Sequence, residues 1–235
     1  MKYGKISAFV DLESFNNSNG ISTTFFYYGC NFHCGFCHNH KMLTEENILL
    51  TERDLELILK KAKRNWVSTI VVSGGEPTLD PKLFSFLKHV KSKNFKVKLD
   101  TNGSNPDVLK RLVEEDLIDY VAMDIKGTKS QYEILAKYSK INQIQKSIDL
   151  IMDKIKDYEF RTTIIPRYHK EDQLLEIGNW LCGAKRYVLQ QFQPDLDGGC
   201  LDKNFEKMKT YKEEDLIKFK EKLTPYFEEV IIKCK

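Results

Sequence analysis

The feature that most narrows the fold of this chain is an alternation of short β-rich runs with longer stretches of helical spacing. Apolar, β-branched and aromatic residues gather at 21–28, 68–73, 95–100, 120–124, 159–165 and 185–191, and each run reads as a strand. Helical periodicity occupies 52–64, 81–93, 106–115, 141–155, 171–181 and 212–223. Strand then helix, six times over, implies right-handed crossovers and therefore a parallel sheet. The run Thr69-Ile70-Val71-Val72 is not alternating, so these strands are expected to be apolar on both faces. Two further strands are expected near 5–11 and 229–233. No repeat, low-complexity tract or long linker interrupts the pattern. With 235 residues, 41% of them apolar, the chain is expected to form one domain over 1–235. An open barrel and a doubly wound sheet both satisfy this order, and in either the loops leaving the C-terminal strand ends share one rim, where the chemistry collects.

Charge and hydropathy exclude some partners. Thirty-seven basic residues stand against 34 acidic ones, a net charge of +3, without the one-sided excess of a phosphate-tracking surface. Nucleic acid is not an expected partner. The run of lysines at 88, 91, 93, 96 and 98 reads as solvated surface. No apolar stretch is long enough to cross a bilayer and the N-terminus carries no apolar signal core, so no membrane role and a cytoplasmic location are expected.

Three of the six cysteines crowd into one loop after the first of the six strands, Gly29-Cys30-Asn31-Phe32-His33-Cys34-Gly35-Phe36-Cys37-His38-Asn39-His40. A reducing compartment makes structural disulfides rare and favours cysteine as a ligand. Three thiolates from one C-x3-C-x2-C loop can hold three irons of a four-iron cube and leave the fourth without a protein ligand, an open place for chemistry. Phe32 and Phe36 are available to exclude water. Zinc is the competing reading, because His33, His38 or His40 could complete a Cys3His tetrahedron, although the rest of the chain offers no second pair of ligands. Cys182, Cys200 and Cys234 lie apart and are read as structural, with Cys200 in a flexible stretch.

Taken with this loop, Ser73-Gly74-Gly75-Glu76-Pro77, Asp100-Thr101-Asn102-Gly103 and Asp124-Ile125-Lys126 stand at successive strand ends. Together these residues resemble the radical S-adenosylmethionine (SAM) superfamily, in which C-x3-C-x2-C carries a [4Fe-4S] cluster and the glycine-rich motif receives the SAM amino group. More closely the chain resembles activating enzymes of glycyl-radical enzymes, through Cys37-His38-Asn39, Asp-Thr-Asn-Gly and Asp-Ile-Lys. The stretches 158–166 and 184–192 resemble the branch that activates anaerobic ribonucleoside-triphosphate reductase.

The resemblance implies a partial (β/α)6 TIM-like barrel and one cluster on Cys30, Cys34 and Cys37, since the cysteine-rich insertion of some relatives is lacking. It implies SAM contacts from Asn39, Gly74, Gly75, Glu76, Asp100, Thr101, Asp124, Lys126 and Arg161, with a monovalent cation as a further candidate among the carboxylates. Gly74 and Gly75 are expected to let backbone carbonyls reach the ligand's ammonium, and Glu76 to add charge or brace the loop. The implied reaction is reductive cleavage of SAM to a 5'-deoxyadenosyl radical, which installs a glycyl radical on the partner reductase. A flavodoxin or ferredoxin is the implied electron donor. The alternatives are an activating enzyme of pyruvate formate-lyase or a related lyase, a radical SAM enzyme of a small molecule, and a zinc or iron-sulfur protein without catalysis. Pro166-Arg167-Tyr168-His169 departs from the Pro-Gly expected of relatives after that strand.

Overall fold

The computed structural model describes residues 2–14, 21–44, 49–194 and 198–234. Strand β1 (Ile6–Ser14) pairs antiparallel with β2 (Ile21–Tyr27). Then come β3 (Thr69–Gly74), β4 (Lys96–Thr101), β5 (Tyr120–Asp124), β6 (Tyr158–Ile164), β7 (Ala184–Gln191) and β8 (Phe227–Lys233), each parallel to its predecessor. Helices α1 (Lys41–Thr44) and α2 (Glu52–Arg64) follow β2, α3 (Leu83–Ser92) follows β3 and α4 (Pro106–Glu114) follows β4. Helices α5 (Tyr132–Leu135) and α6 (Ile141–Lys154) follow β5, α7 (Glu171–Trp180) follows β6, and α8 (Lys203–Glu206) and α9 (Glu213–Leu223) follow β7. The six expected strands and six expected helices are all present to within a residue or two at their ends. The short α1, α5 and α8 lie in loops that the periodicity left unassigned.

Strand order decides between the two architectures. The sheet runs β1 to β8 without reversal, whereas a doubly wound sheet reverses order at a switch point. An unreversed run of right-handed crossovers places every helix on one face and curls the other into a lumen. Among the described residues no ladder joins β8 to β1. The barrel is therefore partial and open at one side.

The two faces differ sharply in chemistry. Registered neighbours Phe25, Val72, Leu99, Val121 and Tyr158, and likewise Met123, Phe160, Tyr187 and Val230, lie on the helix-covered face and are almost wholly buried. The opposite face carries Ser73, Lys98, Asp100, Tyr120, Glu159, Arg161 and Arg186. The expectation of strands apolar on both faces therefore holds for Ile70-Val71-Val72 and fails for β4 and β6, where charges alternate with apolar residues. Pairing makes this burial tolerable, because an isolated charge would lose far more solvation than the fold could return. Lys98 Nζ lies 3.6 Å from Asp100 Oδ1 and 3.5 Å from Glu159 Oε1, and Tyr120 donates its hydroxyl to Glu159 Oε2 at 2.9 Å.

Local chemistry sets the helix starts. Thr51 and Asp54 close a reciprocal capping box on α2, and Pro106 opens α4, where a missing N–H costs nothing. Helix α3 begins two residues later than its periodicity predicts, because Asp80 Oδ1 accepts the Lys82 N–H at 2.8 Å and holds a turn there. Phe86 of α3 is fully buried, edge-on to Phe25, Tyr27 and Tyr3. Phe86→Ala should therefore lower the unfolding free energy by about 3–5 kcal/mol in a denaturant titration, with the far-ultraviolet circular dichroism of the native baseline retained.

Candidate active site

Six consecutive segments deliver polar groups to the C-terminal rim of the parallel strands. Together they surround a cavity of about 260 Å³ lined by Cys30, Cys34 and Cys37, by Asn39, and by Ser73, Gly74 and Gly75 from the end of β3. Asp100, Thr101 and Asn102 line it from β4, Asp124 and Lys126 from β5, Arg161 and Thr163 from β6, and Gln190 from β7. Eleven of the twelve residues that the sequence singles out meet here; Glu76 stands just behind the lining.

The glycine-rich motif is a close crossing of two backbones. A Cβ at Gly75 would lie 1.9 Å from the carbonyl oxygen of Gly29, and one at Gly74, which has φ +112°, would strike the Tyr27 backbone. The glycines thus let β3's exit pass against the cysteine loop, with Gly75 N–H donating to Tyr27 O at 2.9 Å and Glu76 N–H to Gly29 O at 2.8 Å. Glu76 is the brace of this crossing. Its buried carboxylate accepts from Thr78 N and Oγ1, from Thr101 Oγ1 at 2.8 Å and from Asn102 N at 2.6 Å, tying β3's exit to β4's. Gly74 keeps its carbonyl on the cavity, where Asn39 Nδ2 donates to it at 3.4 Å.

All three thiols of the loop are deprived of solvent. Burial, reinforced by the Glu76 charge, pushes Cys30 up to about 11, burial pushes Cys34 up to about 12 against the opposing pull of Lys126, and Cys37 is raised by burial too. Such thiols ionise only where a strong positive charge replaces the lost water, which is what a metal centre supplies. Among the described residues no group of three or more His, Cys, Asp and Glu side chains converges on a single point fit for one ion. Cys30, Cys34 and Cys37 all line one cavity, and from there they could hold three corners of a four-iron cube. Asn102 Nδ2 and Phe32 N–H donate toward Cys30 Sγ at 3.6 and 3.4 Å, and Phe32 and Phe36 are buried beside the thiols.

The histidines are turned to other work. His33 is exposed, while His38 Nδ1 meets Gly199 O at 3.2 Å and His40 Nε2 meets Gly198 O at 2.9 Å. They fasten a strap, in which Leu201 and Asp202 also donate backbone N–H groups to Cys37 O and Gly35 O. Cys200, expected in a flexible stretch, is buried in this strap, and its N–H donates to Glu206 Oε1 at 2.8 Å. Cys182 and Cys234 are exposed.

Opposite the thiols lies a chain of ion pairs. Arg161 Nε donates to Asp124 Oδ1 at 2.9 Å, its Nη1 lies 3.4 Å from Asp100 Oδ2, and Lys126 Nζ donates to Asp124 Oδ2 at 3.0 Å. Burial alone would raise the Asp124 carboxyl, but the Arg161 and Lys126 charges outweigh it and hold it at about 2. Burial would likewise weaken the Lys126 ammonium, yet Asp124 keeps it above the usual lysine range.

These groups suit a zwitterionic ligand beside a cube, and the Radical SAM superfamily model matches residues 24–180. The chain belongs to the radical SAM superfamily. Members are enzymes that use an iron-sulfur cluster and SAM. Over 97% of this radical SAM chain and 95% of the relative, 33% of residues are identical to a protein of Methanocaldococcus jannaschii provisionally named a glycyl-radical enzyme activating enzyme. Among solved structures, Streptococcus suis SuiB bound to precursor peptide SuiA superposes with a TM-score of 0.71 at 18% identity, covering 90% of this chain and 48% of SuiB. A domain of pyruvate-formate lyase-activating enzyme from Bacteroides vulgatus gives 0.56 at 19% identity, covering 70% of this chain and 98% of that one. At these identities the structural likeness concerns the fold.

Four polar lining residues were not singled out as contacts: Ser73, whose hydroxyl donates to Asp100 Oδ2 at 3.1 Å, and Asn102, both within quoted motifs, Gln190 within the 184–192 stretch, and Thr163. Position two residues from a recognised strand-end carboxylate or cation could have found Thr163 and Asn102. His169 closes the Pro166–His169 segment that departs from the Pro-Gly of relatives, and its role was not anticipated. Fully buried, its Nδ1 accepts the Ile165 N–H at 3.0 Å while Nε2 donates to the Lys126 carbonyl at 3.1 Å, locking β6's exit onto β5's.

Gly75→Ala should strip most of the iron and sulfide from anaerobically reconstituted protein, measured per chain, because its Cβ displaces the cysteine loop. Burial lowers His169 from 6.5 to about 4, so the unfolded chain takes up this proton first as pH falls. The stability contribution present above pH 6.5 should be lost between 6.5 and 4; in urea titrations across that window His169→Gln, which does not titrate there, should show a shallower loss than wild type.

Proposed function

We propose that this chain is the activating enzyme of a glycyl-radical enzyme and, more narrowly, of an anaerobic ribonucleoside-triphosphate reductase. The observation that carries the reading is the full-length likeness to a protein provisionally named for that activity, on a barrel that is open along one side. A side opening between β1 and β8 admits a loop of another protein more readily than it encloses a metabolite. The reductase is favoured over a lyase by the wording of 184–192, in which Gln190 lines the cavity and Phe192 is buried against His38.

In this reading Cys30, Cys34 and Cys37 hold the cluster and the rim holds SAM. Bound there, the two cofactors supply one-electron cleavage of the sulfonium and abstraction of hydrogen from a glycine α-carbon. The chain's own residues bind, orient and exclude water. Lys126 and Arg161 would hold the SAM carboxylate, and the Gly74 carbonyl its ammonium. Asp100, whose Oδ1 is ion-paired at 3.6 Å with Lys98 Nζ, is the carboxylate to which the ammonium or a monovalent cation would turn. Phe32 and Phe36 keep water from the thiolates. Asn102, donating toward Cys30 Sγ, tunes the charge on that ligand. An external low-potential donor of the flavodoxin or ferredoxin type supplies the electron.

The test is anaerobic reconstitution with iron and sulfide, followed by SAM, a strong one-electron reductant and a panel of candidate partners. Wild type should form 5'-deoxyadenosine and the Cys34→Ala variant should fall to the level of reductant alone. Electron paramagnetic resonance should then show a glycyl radical on the reductase. A radical on pyruvate formate-lyase alone would replace the reductase with the lyase, and turnover of a small metabolite without any protein substrate would remove the activase reading.

A further inference from the structure

Behind the cysteine loop, away from the ion pairs of the rim, lies a second cavity of about 550 Å³ lined by Gly4, Lys5, Tyr28, Gly29, Cys30, Leu49 and residues 79–82. Cys30 is the one cysteine of the loop that lines both cavities. Beside it Gly29 has φ +88°, and a Cβ there would meet nothing within 4 Å. Cys30 is thus the residue that stands between this groove and the cavity that would hold the cluster.

The rim of the groove has a definite chemistry. Lys5 and Lys82 are exposed there, Leu79 is 43% exposed, and Pro81 is exposed beside it. Among the described residues Asp80 is the one acid of the lining, and its carboxylate is committed to the protein's own backbone. Oδ2 accepts the Lys5 N–H at 2.7 Å and Oδ1 accepts the Lys82 N–H at 2.8 Å. The same two bonds fasten residues 4–5 to the turn after β3, so the groove is a built feature of both segments. Two outward ammoniums around an apolar centre match an acidic surface with an apolar contact, and charge complementarity of that kind steers encounter more than it adds affinity.

We propose that this groove is the docking site of the electron donor, an acidic low-potential redox protein that passes one electron to the cluster past Cys30. The donor is oxidised by one electron and the oxidised cluster is reduced by one. The inference rests on the function proposed above. It goes beyond that reading by separating the entry of the electron from the rim where SAM and the partner glycine would meet, so that donor and substrate protein need not compete for one surface.

The test uses cluster-loaded protein and a reduced flavodoxin as probe. The Lys5→Glu/Lys82→Glu double variant should accept electrons from flavodoxin at least about tenfold more slowly at low ionic strength and bind oxidised flavodoxin about tenfold more weakly in a titration. Photoreduction by deazaflavin, which needs no docking, should proceed as in wild type. Leu79→Glu is the second variant, with the same expectation, should the double variant fail to take up its cluster. Wild-type reduction by flavodoxin should also slow steeply as salt rises. Unchanged flavodoxin kinetics and binding in a loaded variant, or a wild-type rate insensitive to salt, overturn the docking site. Failure of deazaflavin-reduced wild type to cleave SAM strikes the proposed function instead, and the binding titration still decides the groove.

Discussion

The guanidinium of Arg161 holds together what would otherwise be an unstable lumen. It reaches from β6 to Asp124 on β5 and Asp100 on β4, with Glu159 of its own strand 3.9 Å away. Three strands thereby share one charge, and the carboxylates can stay ionised inside a barrel that keeps Arg161 itself only 9% exposed. Lys98 and Lys126 extend the same compensation to either side. A lone carboxylate in such a place would neutralise itself, whereas a network with its donors in place keeps its charge and its geometry. The rim's ability to meet a zwitterion depends on that retained charge.

Around this network the loops are tied to one another rather than left to the sheet alone. Glu76 binds the exit of β3 to that of β4, His169 binds the exit of β6 to that of β5, and the Gly29–Glu76 crossing binds the cysteine loop to β3. The strap at 198–202 fastens the far side of the same loop. Loops are ordinarily the mobile parts of a barrel. Here each is anchored by buried bonds within a few residues of the cavity, as a site that must hold reacting groups at fixed separations requires. The cysteine loop is the most heavily tied, and it is also the loop shared by the two cavities.

Much of this was legible in the chain. Six strand-and-helix pairs announced themselves by period, and the C-x3-C-x2-C spacing with carboxylates at strand ends named the chemistry of the rim before any contact was known. The lumen was less legible. Lys98, Glu159 and Arg161 sit in strands whose apolar residues dominate the pattern, and nothing local distinguishes a charge facing a lumen from one facing water. Glu76 shows the same limit. Its motif marks it as important, but whether its carboxylate faces a ligand or braces a loop depends on Thr101 and Asn102, which arrive from the next strand.

By itself, then, the order of residues determined the elements, their parallel sense, the cysteine loop and most of the rim, because these follow from short-range spacing and from which atoms can bind which. Tertiary structure alone decided the unreversed strand order, the ionic lumen, the bracing role of Glu76, the lock made by His169 and the groove behind Cys30. Each of those joins residues dozens of positions apart, and a pairing across that distance leaves no periodic trace in either partner; it exists only once the sheet has set both in register.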